Sequence, residues 1–114
     1  MRFTLSSSIL NSKLQVLARI INNKSSITIL DCFLFEIKNN MLSITASDSE
    51  NMMQTTIPLD ESNEDGSFAV PSRTILEAVK ELPEQPLMFD VNINNHTVEI
   101  CYQNGKYNFT AQDA

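Results

Sequence analysis

Tryptophan is absent, histidine occurs once and glycine only twice in 114 residues. With Gly66 and Gly105 alone there is no glycine-rich loop to cradle a phosphate. No apolar run approaches the length that crosses a bilayer, about 20 residues. His96 stands beside a hairpin turn with no Cys, Ser or Asp motif around it, so no nucleophile–base pair and no metal centre can be read there. Cys32 and Cys101 form neither a C-x-x-C nor a dense framework, and read as reduced, structural thiols of a cytoplasmic protein. The opening Met1-Arg-Phe-Thr-Leu-Ser lacks the apolar core and small-residue cleavage site of a signal peptide. Without secretion, the Asn-x-Ser/Thr triplets at Asn23, Asn95 and Asn108 carry no meaning. Asp48 with Glu50, or Glu61 with Glu64 and Asp65, could be offered as carboxylate pairs or a Ca²⁺ loop. The EF-hand spacing is missing, and solvated turns account for these acids better. No catalytic residue, metal or cofactor is expected, which leaves a carboxylate hydrolase as the most remote of three function classes.

What is present is strong alternation. Residues 27–38 and 41–47 are apolar alternating runs separated by Asn39-Asn40, and Asn tolerates the φ > 0 geometry of a type I′ hairpin turn. A two-residue loop pairs Ile37 with Leu42, Phe35 with Ile44 and Phe33 with Ala46, every pair apolar. A one-residue slip would turn Phe33, Phe35 and Ile37 to the other face, so one face of this hairpin is buried and must be covered.

The cover comes from two helices. A short strand over Arg2–Ser6 precedes a helix from about Ser8 to Asn22, any of whose leading serines could cap it. Leu10, Leu14, Leu17, Ala18 and Ile21 recur at helical spacing. Ile9, Val16 and Ile20 widen that stripe, Lys13 falls inside it and must snorkel, and Asn11, Ser12, Gln15 and Arg19 lie opposite. After a third strand over 51–59 and an acidic turn over 60–66, the pattern restarts. A strand over 67–70 leads to a helix opened by Pro71-Ser72 and closed before Pro83. Ile75, Ala78, Val79 and Leu82 share one face of it, and Arg73, Glu77 and Lys80 the other. Strands over 87–93, 96–102 and 106–111 follow. An Asn94-Asn95 turn pairs Phe89 with Ile100 and Val91 with Val98. An Asn104-Gly105 turn pairs Tyr102 with Tyr107, Ile100 with Phe109 and Val98 with Ala111. Both turns place the same side chains of the shared strand on the buried face.

The chain therefore reads strand–helix–strand–strand–strand twice: one two-layer α+β domain of duplicated topology, with two helices side by side on one face of the sheets. The halves repeat in architecture, their residue identities differing. Acids outnumber bases by 14 to 8, for a net charge of −6. Five of the bases, Lys13, Arg19, Lys24, Arg73 and Lys80, lie on or beside the helices, while the acids gather in strands, turns and the 60–65 loop. For an arbitrary domain, charged helix faces are simply solvated. The last strand, if it is a sheet edge, is a place where another chain could pair.

In order and spacing, Met1-Arg-Phe-Thr-Leu, Ile29-Leu30, Leu42-Ser-Ile-Thr-Ala-Ser-Asp-Ser-Glu50, Val70-Pro71-Ser72-Arg73, Leu82-Pro83 and Asn104-Gly-Lys-Tyr-Asn-Phe109 resemble the N-terminal domain of the bacterial sliding clamp, the beta subunit of DNA polymerase III. The resemblance covers the whole chain, with Thr28 where the family often has Pro. It implies the DNA-clamp fold, sheets outside and helices inside. It further implies a fragment of a three-domain subunit that closes as a homodimer ring around duplex DNA, without sequence preference and without catalysis of its own, as processivity factor of a DNA-directed DNA polymerase in the cytoplasm. Polymerase III subunits and the clamp loader would bind mostly through domains absent here, and no membrane would be involved. The DNA-facing residues implied are Lys24, Arg73 and Lys80, with Arg19 and Gln15 in support. Lys106, Tyr107 and Phe109 would form the dimer edge, with Tyr107 the better candidate because Phe109 also suits the domain's own core. A non-DNA protein-interaction module of the same fold is the alternative.

Overall fold

The computed structural model describes residues 1–18, 32–47, 52–59, 61–62, 64–80, 82–92, 94–103 and 105–111. In chain order the elements are β1 (Arg2–Ser6), α1 (Ser7–Ala18), β2 (Cys32–Lys38), β3 (Met41–Ser47), β4 (Met52–Pro58), β5 (Glu61–Ser62), β6 (Gly66–Pro71), α2 (Ser72–Val79), β7 (Pro86–Asn92), β8 (Thr97–Tyr102) and β9 (Gly105–Thr110). The strands form two antiparallel sheets, one ordered β5-β1-β7-β8-β9 and one β4-β3-β2-β6.

The β2–β3 hairpin has the register its sequence implies, Phe35 opposite Ile44 and Ile37 opposite Leu42. Asn39 at φ 53° and Asn40 at φ 62° supply the left-handed pair that a type I′ turn requires. Its outer neighbour β4 continues the meander, with Leu42 facing Ile57 and Ala46 facing Met53. The acidic turn after β4 contains an element that its polarity concealed. The two residues of β5 pair with β1, setting Ser62 opposite Phe3.

The opening strands of the two repeats exchange sheets. β1 pairs with β7 of the second repeat, setting Phe3 against Phe89 and Leu5 against Leu87. β6 pairs with β2 of the first, setting Phe68 against Phe35 and Val70 against Phe33. Four phenylalanines meet where the sheets face each other. Phe3 and Phe89 stack at 4.7 Å, Phe35 and Phe68 lie at 5.2 Å, and Phe3–Phe68 and Phe35–Phe89 span the sheets at 6.3 Å each. All four rings are buried. The cluster obeys the same pseudo-symmetry as the chain, since buried positions recur at one constant offset in numbering: Phe3 and Phe68, Leu5 and Val70, Ser7 and Ser72, Leu10 and Ile75, Leu14 and Val79. Apolar character, more than residue identity, is what the halves share.

Both helices lie over this core with the leucine and isoleucine stripes inward: Leu10, Leu14 and Leu17 of α1 and Ile75 and Val79 of α2 are buried. Three expectations about the helices are corrected. Ile9 and Val16 stand 48% and 47% exposed, so they do not widen the packed stripe. Lys13 beside them is exposed and has no apolar sector to snorkel from. Pro71 is the N-cap of α2, at φ −56° and ψ 125°, and not its first helical residue; Ser72, buried, takes that place.

Candidate nucleic-acid interface and assembly edge

α1 presents Ser8, Ile9, Ser12, Lys13, Gln15 and Val16 to the outside, with no acid among them. That follows from helical spacing, because the buried Leu10, Leu14 and Leu17 claim one side and leave these positions the other. Gln15 donates from Nε2 to Asn11 Oδ1 at 3.4 Å, an i, i+4 bond along the surface. On α2, Glu77 is exposed, and Lys80 is exposed just past the helix end with its N–H bonded to the Leu76 carbonyl at 3.1 Å. Arg73 takes the second position of the same helix. Arg19 and Lys24 lie outside the described residues, so of the five expected DNA-facing residues the structure places Gln15 and Lys80 on the surface and Arg73 on α2.

The second candidate region is β9, one edge of the five-stranded sheet. Its register differs from the expected one by two residues: Ile100 faces Tyr107, Val98 faces Phe109 and Tyr102 faces Gly105. The chain reverses between Tyr102 and Gly105, so that Gly105 belongs to the strand and not to the bend. A β carbon on Gly105 would lie 3.4 Å from the Tyr102 hydroxyl, an ordinary contact, so the Tyr102 ring lies over the glycine. A shift of two keeps every side chain on its expected face. Phe109 is half-buried against the core and Tyr107 is 38% exposed, their rings 6.1 Å apart. Lys106 points along the outer surface to Glu99, Nζ to Oε1 at 3.8 Å, so its charge already has a partner within the domain.

The β7–β8 connection keeps its expected register with a longer loop. Asn92 and Thr97 close the ladder, the Asn95 N–H bonds to Asn92 Oδ1 at 3.1 Å, and His96 takes φ 55°. A two-residue and a four-residue loop about the same centre give the same pairs. Across those strands Asp90 lies directly opposite Glu99, a like-charge pairing that is destabilising by itself. Arg2, 3.3 Å from Asp90, and Lys106 relieve it from either side. Beside Glu99 the Cys101 thiol donates to its Oε1 at 3.2 Å. Burial first, then that carboxylate, push the thiol's pKa up.

A family model described as DNA polymerase III beta subunit, N-terminal domain, matches residues 1–114. The chain belongs to that family. Among its relatives, a beta sliding clamp of Vibrio harveyi is 32% identical over 88 residues, covering 77% of this chain and 61% of that protein. A beta sliding clamp of Buchnera aphidicola is 28% identical over 110 residues, covering 96% of this chain and 30% of that protein. The solved DNA polymerase III subunit beta of Pseudomonas aeruginosa superposes with a TM-score of 0.91 at 22% identity, over 100% of this chain and 31% of that one. The Helicobacter pylori beta clamp bound to a DNA ligase peptide gives a TM-score of 0.91 at 18% identity, over 100% of this chain and 31% of that one. The chain thus spans 61% of the Vibrio relative and about 30% of the others. Among the described residues, two helices and two antiparallel sheets form the clamp fold that the resemblance implied.

One polar residue of structural weight went unread in the sequence. Gln85, between Pro83 and Pro86, looked like part of a helix stop, yet it is 5% exposed. Ser7 and Ser72 are the other buried polar residues among those described. The signal that could have found it was a long amide side chain fixed between two prolines, where a surface loop has no use for it. Among the described residues no helix is long and apolar enough to cross a membrane, and no cluster of His, Cys, Asp and Glu suits a metal ion.

Proposed function

We propose that this domain is one segment of a ring-shaped sliding clamp that encircles duplex DNA and tethers a replicative polymerase, a non-catalytic processivity factor of the cytoplasm. The observation that carries the reading is family membership across residues 1–114. The fold supports it, because a domain with sheet edges at β4 and β9 can be joined to neighbours on either side into a closed ring. Lys24, Arg73 and Lys80, with Arg19 and Gln15, face the duplex. They bind phosphates, which carry no sequence information, as sliding requires. The chain's acidic surplus stays outside the ring, where it discourages nonspecific adhesion to nucleic acid. Lys106, Tyr107 and Phe109 form the edge that meets the partner protomer of a homodimer. Polymerase subunits and the clamp loader engage mainly through other domains of the subunit.

The test mutates Lys24, Arg73 and Lys80 together to Glu in the whole subunit. Loading onto nicked circular DNA and processive synthesis fall while the ring stays dimeric. Removing one cation from a phosphate lowers the slope of log K against log salt by about 0.9. Unchanged loading and processivity would return these residues to an ordinary solvated helix face.

A further inference from the structure

We propose that Gln85 is a positioning residue for the β9 edge, holding the turn from which β9 leaves and so setting the strand that meets the partner protomer. The proposal rests on the assembly role given to β9 above. Gln85 is tied at both its backbone and its side chain. Its main chain grips the start of α1: the Gln85 N–H donates to Ser7 Oγ at 3.0 Å and its carbonyl accepts from the Ser7 N–H at 2.9 Å. The Ser7 hydroxyl donates in turn to the Pro83 carbonyl at 2.9 Å. The Gln85 side chain reaches the other way, its Nε2 donating to the Pro83 carbonyl at 3.1 Å and its Oε1 accepting from the Gln103 N–H at 2.7 Å.

Gln103 opens the turn between β8 and β9, and as an edge strand β9 has, among the described residues, no neighbour on its outer side to hold its near end. Gly105, Lys106, Tyr107 and Asn108 are all exposed, and the strand's own burial begins only at Phe109 and Ala111. At the far end the Ala111 N–H bonds to the His96 carbonyl at 2.7 Å. At the near end, beyond the β8–β9 ladder and the Lys106–Glu99 pair, the tethers are the Tyr102 ring over Gly105 and the Gln85–Gln103 bond. Because the amide is buried, its bond to Gln103 faces little competition from water. The bond from the Ser7 N–H to the Gln85 carbonyl, which does not depend on the Ser7 side chain, holds Gln85 against α1, so position is passed from the helix layer to the sheet edge.

Three variants separate positioning from general stability. Gln85→Met keeps the volume and removes both side-chain bonds; Gln85→Glu keeps the acceptor for Gln103; Ser7→Ala removes the hydroxyl's bonds to Gln85 and Pro83 but keeps the Ser7 N–H bond to the Gln85 carbonyl and does not touch Gln103. In this chain, Gln85→Met is expected to speed hydrogen exchange at Gln103 and Gly105–Tyr107 about tenfold, the factor that one missing hydrogen bond supplies, while β2–β3 amides stay unchanged. Gln85→Glu restores slow exchange at Gln103, and Ser7→Ala leaves β9 alone. In the whole subunit, Gln85→Met weakens the dimer by a similar factor in sedimentation equilibrium, and Ser7→Ala does not. Unaltered exchange at the turn, equal effects of Gln85→Met and Ser7→Ala, or outright unfolding of Gln85→Met by far-UV circular dichroism would overturn the positioning role. Exchange that responds while the dimer does not would instead overturn β9 as the interface.

Discussion

Phe35→Ala tests the central claim about the core, that one aromatic cluster joins the two sheets. Phe35 is fully buried, flanked in its own sheet by Ile44 on β3 and Phe68 on β6. Its ring lies 5.2 Å from Phe68 and, across the sheets, 6.3 Å from Phe89. Truncation there leaves a cavity bounded by strands paired on both sides, which cannot move in to fill it. A buried Phe→Ala change costs about 3–5 kcal/mol, and the broken ring pairs place this site in the upper half of that range. Against a total stability of about 5–15 kcal/mol, that is about a quarter or more of what holds the domain folded. In urea, followed by far-UV circular dichroism because there is no tryptophan to report, the midpoint falls while the slope m is unchanged. On heating, Tm drops by roughly 15–25 °C. Met52→Ala, at a residue 75% exposed, is the control and stays within about 0.5 kcal/mol of the parent. A Phe35→Ala destabilisation below about 1.5 kcal/mol would show that the cluster does not carry the core.

Three further outcomes follow from particular interactions. Asn39 sits at φ 53°, so Asn39→Val costs about 1–3 kcal/mol in the same urea titration whereas Asn39→Gly is nearly neutral; equal effects would refute the turn assignment. With its pKa raised by burial and by Glu99, Cys101 carries less thiolate than an ordinary cysteine near pH 9, so iodoacetamide modifies it slowly and faster in Glu99→Gln. A rate in Glu99→Gln no faster than the parent's would remove Glu99 from that account. In the whole subunit, Tyr107→Ala with Lys106→Glu shifts sedimentation from dimer toward monomer, with Tyr107→Ala alone as the variant that spares the Lys106–Glu99 pair, and an unchanged dimer would remove this edge from the interface.

Strand faces were legible because alternation is a local property. Phe33, Phe35, Ile37, Leu42, Ile44, Phe89, Val91, Val98 and Ile100, all expected inside from turn arithmetic, are buried. Partners were less legible. Periodicity shows that Phe3 points inward but not that it stacks on Phe89 rather than on a strand of its own repeat, because that choice is made by packing between distant segments. Ile9 and Val16 mislead for a related reason: apolar character permits burial without enforcing it, and the three leucines of α1 already fill the space above the sheets. Of the candidate site, the helix faces and β9 were legible as regions. Gln85 was not, since its role depends on Ser7 and Gln103 arriving from either side.

The β8–β9 turn shows where local signals lose. Asn-Gly is among the strongest short hairpin signals, and by itself it places the bend at Asn104-Gly105. The fold opposes it at two points. Tyr102 is half-buried, and its ring lies over residue 105, where a β carbon would sit at ordinary contact distance from it. Gln103, one step after Tyr102, gives its N–H to a buried amide oxygen that is fixed by its own clamp on α1. The bend therefore lies between Tyr102 and Gly105, with the Tyr102 ring packed over the glycine. The shift is by two, so Phe109 and Ala111 keep their inward face and Tyr107 keeps its place on the edge. A shift by one would have turned Phe109 and Ala111 outward and exposed apolar surface, which the core does not tolerate. Alternation therefore constrains the register modulo two, and tertiary interactions of single residues choose among the values that remain.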